Sequence, residues 1–112
     1  MGSVEAKNEI VQIAKEMLNG EIHLILGCRY IRGLRHDTEI PEDDIFMTFR
    51  AVDSETDHFP LGKVRELCDP EYLERRDKEI TAYLEAAGDD IRKACIELIK
   101  KFSNELDDRM HK

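Results

Sequence analysis

Apolar residues recur along this chain at steps of three and four, and turn-forming residues divide the pattern into four stretches. In the first, Val4 to Leu18, Ile10, Ile13, Ala14 and Met17 share one helical face, with Ser3 as the candidate N-cap and Asn19-Gly20 as the stop. In the second, Glu21 to Leu34, Ile22, Leu26, Tyr30 and Leu34 stand at steps of four, with Arg29, Arg32 and Arg35 on the flanks and toward the end. Gly27 and Gly33 inside it each cost about 1 kcal/mol relative to alanine, which points to close approach between helices. His23 reads as a surface or rim histidine. The third stretch opens at Pro41, where a helix loses no hydrogen bond, and Glu42, Asp43 and Asp44 complement the positive end of the helix dipole. Ile45, Phe46, Phe49 and Val52 then form an apolar face, which predicts a helix from about Pro41 to Val52 over the competing strand from Ile45 to Val52.

The last stretch has the clearest start. Lys63 to Leu67 suits a short helical turn, and Cys68-Asp69-Pro70-Glu71 follows with Asp69 as N-cap and Pro70 as first helical residue. Ile80, Leu84, Ala87, Ile91, Ala94, Leu98 and Phe102 then continue without a slip of phase. Because the phase passes through Gly88, one helix from about Pro70 to Asn104 is predicted, rather than two folded back at Gly88-Asp89-Asp90. A helix of that length outruns what a small domain covers. Its C-terminal half, with Ile91, Cys95, Leu98, Ile99 and Phe102, is therefore expected to be an interface for a homodimer or a partner, and the tail Glu105 to Lys112 is expected to fray. The fold class that results is all-α: a small bundle of about four helices with a long C-terminal helix, residues 1–112 forming a single domain.

Composition narrows the setting. With 41% hydrophobic and 38% charged residues, the chain is neither disordered nor membranous, and helical surfaces would absorb the charge. No apolar run approaches the roughly 18 residues of a spanning helix, and Met1 to Gly20 lacks the apolar stretch of a signal peptide, so a cytoplasmic protein without membrane contact is expected. The three cysteines include no CxxC and are expected to be reduced thiols. Cys28 and Cys95 fall at core or near-core positions. Cys68 precedes a helix N-terminus, where a thiol can be activated, but a partly buried structural role explains it better.

Candidate chemistry concentrates in Asp53 to Leu67, DSETDHFPLGKVREL. Asp53, Glu55 and Asp57 occupy the first, third and fifth places of a calcium loop, but the sixth is His58 instead of glycine and the twelfth is Val64 instead of glutamate. A transition-metal site on His58 with Asp57, or His36 with Asp37, needs ligands from elsewhere in the fold. The chain has no GxSxG, glycine-rich phosphate loop or HExxH, so no catalytic residue and no cofactor is assigned. A pinned turn accounts for more of these residues: Asp53 and Ser54 ending the preceding helix, Pro60 and Gly62 shaping the chain, and Arg65 returning to pair with Asp53 or Glu55.

The net charge of −8 is uneven. From Thr38 to Phe59 there are seven acids and one base, Arg50, so this segment alone carries −6. The modest basic cluster of Arg29, Arg32 and Arg35, with Lys63 and Arg65, argues against nucleic-acid binding. A concentrated acidic surface steers a basic partner instead.

The run from Asp53 to Arg65 resembles the hallmark of a family of small bacterial proteins of unknown function. In that pattern an acidic entry like Pro41 to Asp44 leads through an apolar stretch, here Ile45 to Val52. Asp-Ser-Glu-Thr-Asp, a proline, a glycine and an arginine follow, matched by Asp53 to Asp57, Pro60, Gly62 and Arg65. The likeness covers about Leu18 to Phe102 and includes the Gly20-Glu21 helix start and the Asp69-Pro70-Glu71 cap. It implies no activity. Members often carry an aromatic residue, typically tryptophan, where this chain has Cys68, which implies that Cys68 is not a nucleophile.

These readings converge on a small acidic protein that binds another protein. In its sharper form it is an immunity protein or antitoxin that occupies the basic active site of a nuclease toxin, with Asp43, Asp44, Asp53, Glu55, Asp57 and Arg65 as the partner-binding residues. The alternatives are a metal- or ligand-dependent enzyme built on the Asp53–Arg65 loop, including His58, and a homodimeric scaffold joined through the last helix.

Overall fold

A helix whose apolar residues keep to one face can bury only that face, so four such helices must share a core. A computed structural model describes residues 2–110, with side chains as far as Leu106. The helices are α1 (Ser3–Leu18), α2 (Leu24–Leu34), α3 (Met47–Thr56) and α4 (Pro70–Met110), with short 3₁₀ segments at Arg35–Asp37, Asp44–Phe46 and Gly62–Leu67. There is no strand among the described residues. The fold is all-α. α1 packs on α4 and α2, α2 on α3, and α3 on α4.

The predicted stripe of α4 holds: Ile80, Ile91, Ala94, Leu98 and Phe102 are buried, and the helix runs through Gly88 without a break. Asp69 caps its start, accepting from the Glu71 amide at 2.9 Å. The face expected to await a partner is instead the core of the molecule itself. Ile91, Cys95, Leu98 and Phe102 are fully buried with α1 residues Ile10, Ala14 and Met17, because α1 fills the groove that a second chain was expected to fill. What protrudes is the beginning of α4 and the turn before it, where Leu67 is 87% exposed and Val64 is also exposed. The helix runs through Met110, and the end of the tail expected to fray, residues 111–112, lies outside the described residues.

Three helix starts differ from expectation. Gly2, not Ser3, caps α1, since the Ser3 hydroxyl is committed to Glu39. The second helix starts at Leu24, with His23 as its cap: Nδ1 accepts from the Ile25 amide at 3.2 Å. Burial, with Arg29 and Arg65 nearby, holds the His23 pKa below its ordinary value, which favours the neutral ring that a cap needs. The buried face of α2 is Leu24, Ile25, Cys28 and Ile31, while the expected stripe is its flank, with Leu26 and Leu34 half-buried and Tyr30 exposed. The third helix starts six residues later than expected, because the Pro41 region forms turns and Asp43 caps the 3₁₀ segment through the Ile45 amide at 2.8 Å.

Gly27 is the close approach of the fold. A Cβ there would lie 2.3 Å from the sulfur of Met17, itself buried. Gly33, by contrast, faces open space. Lys7 ties α1 to the loop after α2 and to the C-terminal part of α4: it is 2% exposed, pairs with Glu39 and with Glu105 at 2.9 Å, and lies 5.4 Å from the centroid of the Phe102 ring. Burial alone would lower its pKa, but the two glutamates outweigh that and the net shift is upward. Lys7 and Ser3 in turn hold Glu39 down at about 2.

Two outcomes follow from these contacts. Gly27→Ala should destabilise the protein by about 1–3 kcal/mol in urea unfolding, and in a Met17→Ala background the added cost should largely disappear. Glu39 binds a proton less readily folded than unfolded, so its contribution to stability is full above about pH 4.5 and is lost as pH falls toward 2. Thermal unfolding of wild type and Glu39→Gln should therefore differ at neutral pH and converge across that window.

Candidate functional site

Helix α3 extends four residues beyond its expected end, and this changes the meaning of Asp53, Ser54 and Glu55. They do not terminate the helix but lie within it. At about 100° per residue, side chains two apart point to opposite sides, so Asp53 and Glu55 diverge where a calcium loop would make them converge. Asp53 turns toward α2, 3.0 Å from Arg32 Nε and 3.8 Å from Arg29 Nε. Glu55 turns toward α4 and accepts from the Tyr83 hydroxyl at 2.8 Å. Asp57 is exposed, 3.8 Å from Nδ1 of His58, whose ring packs on Phe59. Asp43 is occupied as a cap and lies 3.8 Å from Lys101, and Asp44 is exposed.

Arg65 does come back toward the turn, though not to Asp53 or Glu55. It donates to the Pro60 carbonyl at 3.1 Å and forms a two-pronged pair with Asp77 of α4 at 2.7 and 2.8 Å. That pair raises the Arg65 pKa and lowers that of Asp77. The pin that joins the end of α3 to α2 is Arg29, whose Nη2 donates to the carbonyls of Thr56 and, at 3.0 Å, Phe59. A helical arginine reaching carbonyls 27 and 30 residues away leaves no local mark in a sequence.

Of the six candidate partner-binding residues, then, Asp53 and Arg65 serve this chain's own packing, Asp43 is held by the Ile45 amide and Lys101, Glu55 by Tyr83, and Asp44 and Asp57 stand outward. Glu55 is joined by acids that the sequence did not single out. A groove of about 420 Å³ runs between α3 and α4, and Glu55, Asp90 and Glu97 line it together with Lys93. Small and aliphatic residues line it too, among them Ala51, Ala87 and Ala94, and Met47, 61% exposed, stands at its edge. Asp90, Lys93 and Glu97 are spaced three and four apart beside the buried stripe, a helical flank whose function depends on what lies across from it.

Burial pushes Cys28 up to about 12 and Cys95 up to about 11, and the half-buried Cys68 contacts the Val64 carbonyl at 3.5 Å. Among the described residues, no group of three or more histidine, cysteine or acidic side chains could hold a metal ion, and no helix is long and apolar enough to cross a membrane.

Asp53→Asn should cost about 1–2 kcal/mol of stability, measured by urea unfolding, because it removes the carboxylate that Arg32 and Arg29 of α2 share on α3. Asp44→Asn, at an exposed carboxylate, should change stability by less than about 0.5 kcal/mol. Compared with protein-family models, curated proteins and solved structures, the chain finds no match.

Proposed function

We propose that this chain is a small acidic protein that binds a basic protein partner, and that the α3–α4 groove receives the partner. The observation that carries this reading is the groove's chemistry: three carboxylates against one lysine around a lining rich in alanine, with an exposed methionine beside it. A basic amphipathic helix suits such a surface, since its apolar residues can lie on the alanines while its lysines and arginines meet the acids. Methionine adapts to varied apolar contacts, which fits Met47 to the edge of a docking groove. Asp44 and Asp57 extend the negative field over the outer surface and would accelerate encounter more than they hold the complex.

In its sharper form the partner is a nuclease toxin and the chain its immunity protein or antitoxin. The support is small size, the charge of −8 and its concentration between Thr38 and Phe59. The interface differs from the one expected from sequence. Glu55, Asp90 and Glu97 take the central role, while Asp53 and Arg65 support the scaffold.

The test is capture of partners from the native cell at low and high salt, followed by affinity measurement with the purified partner. A basic protein released by salt is the expected result. The double substitution Asp90→Lys, Glu97→Lys should weaken its binding by about 1–3 kcal/mol while leaving the melting temperature near wild type. Unchanged affinity in that variant would overturn the groove as the interface.

A further inference from the structure

On the other flank of α3 the charge reverses. A cleft of about 640 Å³, walled like the groove by Met47 and Ala51, is lined by Arg32, Arg35 and Arg50 with Ser54. Arg35 is 5% exposed. Its Nη1 donates to the Arg32 carbonyl at 2.8 Å and contacts Nε2 of His36 at 2.7 Å. A guanidinium has only donors, so Nε2 of His36 faces it as an acceptor. Neither partner of Nη1 is a carboxylate. The remaining edge of the guanidinium, Nε and Nη2, has no hydrogen bond among the described residues, and Nε is buried. No carboxylate among them lies within ion-pair distance of Arg35. The two that act on it from further away are already engaged, Glu42 by Arg50 at 3.1 Å and Asp53 by Arg32 at 3.0 Å. Burial, reinforced by the charge of Arg50, lowers the Arg35 pKa, which marks the site as one where positive charge is under-compensated.

A buried guanidinium without a counter-ion is costly to keep, and an edge with two parallel donors matches a carboxylate. The charge around the cleft selects among anions. With Arg32 paired to Asp53 and Arg50 to Glu42, Arg35 is the one lining arginine without a carboxylate partner among the described residues, a single charge that a monoanion matches. Met47 and Ala51 offer apolar wall for the rest of the molecule, and the volume is that of a small-molecule site. We propose that this cleft binds a small monocarboxylate with a short apolar body, its carboxylate seated on the Nε–Nη2 edge of Arg35, with Arg50 beside it and Ser54 as a neutral donor. This goes beyond the protein-binding role and rests on different charged residues.

Titration of the full chain with sodium hexanoate, followed by the nitrogen-15 resonance of Arg35 Nε and by thermal shift, tests the proposal. Hexanoate should move that resonance saturably and raise the melting temperature, while sodium chloride at equal ionic strength does neither. Acetate should bind more weakly, and so should inorganic phosphate near neutral pH. Since Arg35 variants could unfold, Arg50→Gln, at an exposed side chain, is the decisive substitution, and it should weaken hexanoate binding about tenfold. Glu97→Gln, in the groove, should leave it unchanged. The absence of a saturable shift of Arg35 Nε, phosphate binding as tightly as hexanoate, or full affinity in Arg50→Gln would each overturn the proposal.

Discussion

The unbroken apolar stripe of α4 is the constraint on which the other elements depend. A helix of 41 residues exposes more apolar face than any one short helix can cover, and three short helices each have a face to bury. The solution is a division of that stripe. α1 takes the C-terminal part, α3 lies alongside the middle, and α2 packs on both α1 and α3. The close contact of Gly27 with Met17 sets how near α2 approaches α1. The loops then have little freedom, and single arginines fasten them: Arg29 holds the end of α3 and Arg65 ties the following turn to Asp77.

This arrangement gives α3 two unlike sides. Its residues toward α2 meet arginines, while those toward α4 meet acids, so a segment that is strongly negative in sequence becomes one wall of an acidic groove and one wall of a cationic cleft. Net charge along a stretch of chain is a poor guide to local potential once a helix has sorted the side chains by direction. Asp53 illustrates the point, since its neighbours in space are arginines from α2 rather than the acids beside it in sequence.

Periodicity made the architecture legible wherever the stripe was long enough to average over single residues. Seven positions in phase outweighed Gly88, whose cost of about 1 kcal/mol is small beside the packing of a continuous face. Shorter stretches were more ambiguous. At the second helix, Ile22, Leu26, Tyr30 and Leu34 at steps of four outlined a face, yet Ile22 precedes the helix start at Leu24 and the buried side is instead Leu24, Ile25, Cys28 and Ile31, with Gly27 against Met17. Caps were readable where an acidic residue preceded a proline, as at Asp69. They were not where the capping atom belonged to a histidine, as at His23, or where the expected cap had a distant partner, as Ser3 has in Glu39. Of the candidate site, Asp44, Asp57 and Glu55 are acids that the chain itself singles out, and the structure leaves Asp44 and Asp57 exposed and sets Glu55 in the groove. Asp90, Glu97 and the orphaned edge of Arg35 could not, because each takes its meaning from a residue on another helix.

The length of α4 has a consequence for how the molecule turns in solution. The principal extents are 56 × 27 × 24 Å, so the protein is a rod whose end-over-end rotation is slower than its spin about the long axis. Amide N–H bonds in a helix lie nearly along the helix axis. Those of the long helix therefore report the slow rotation, and those of helices inclined to it report a mixture, so nuclear spin relaxation encodes the angles at which the short helices cross their support.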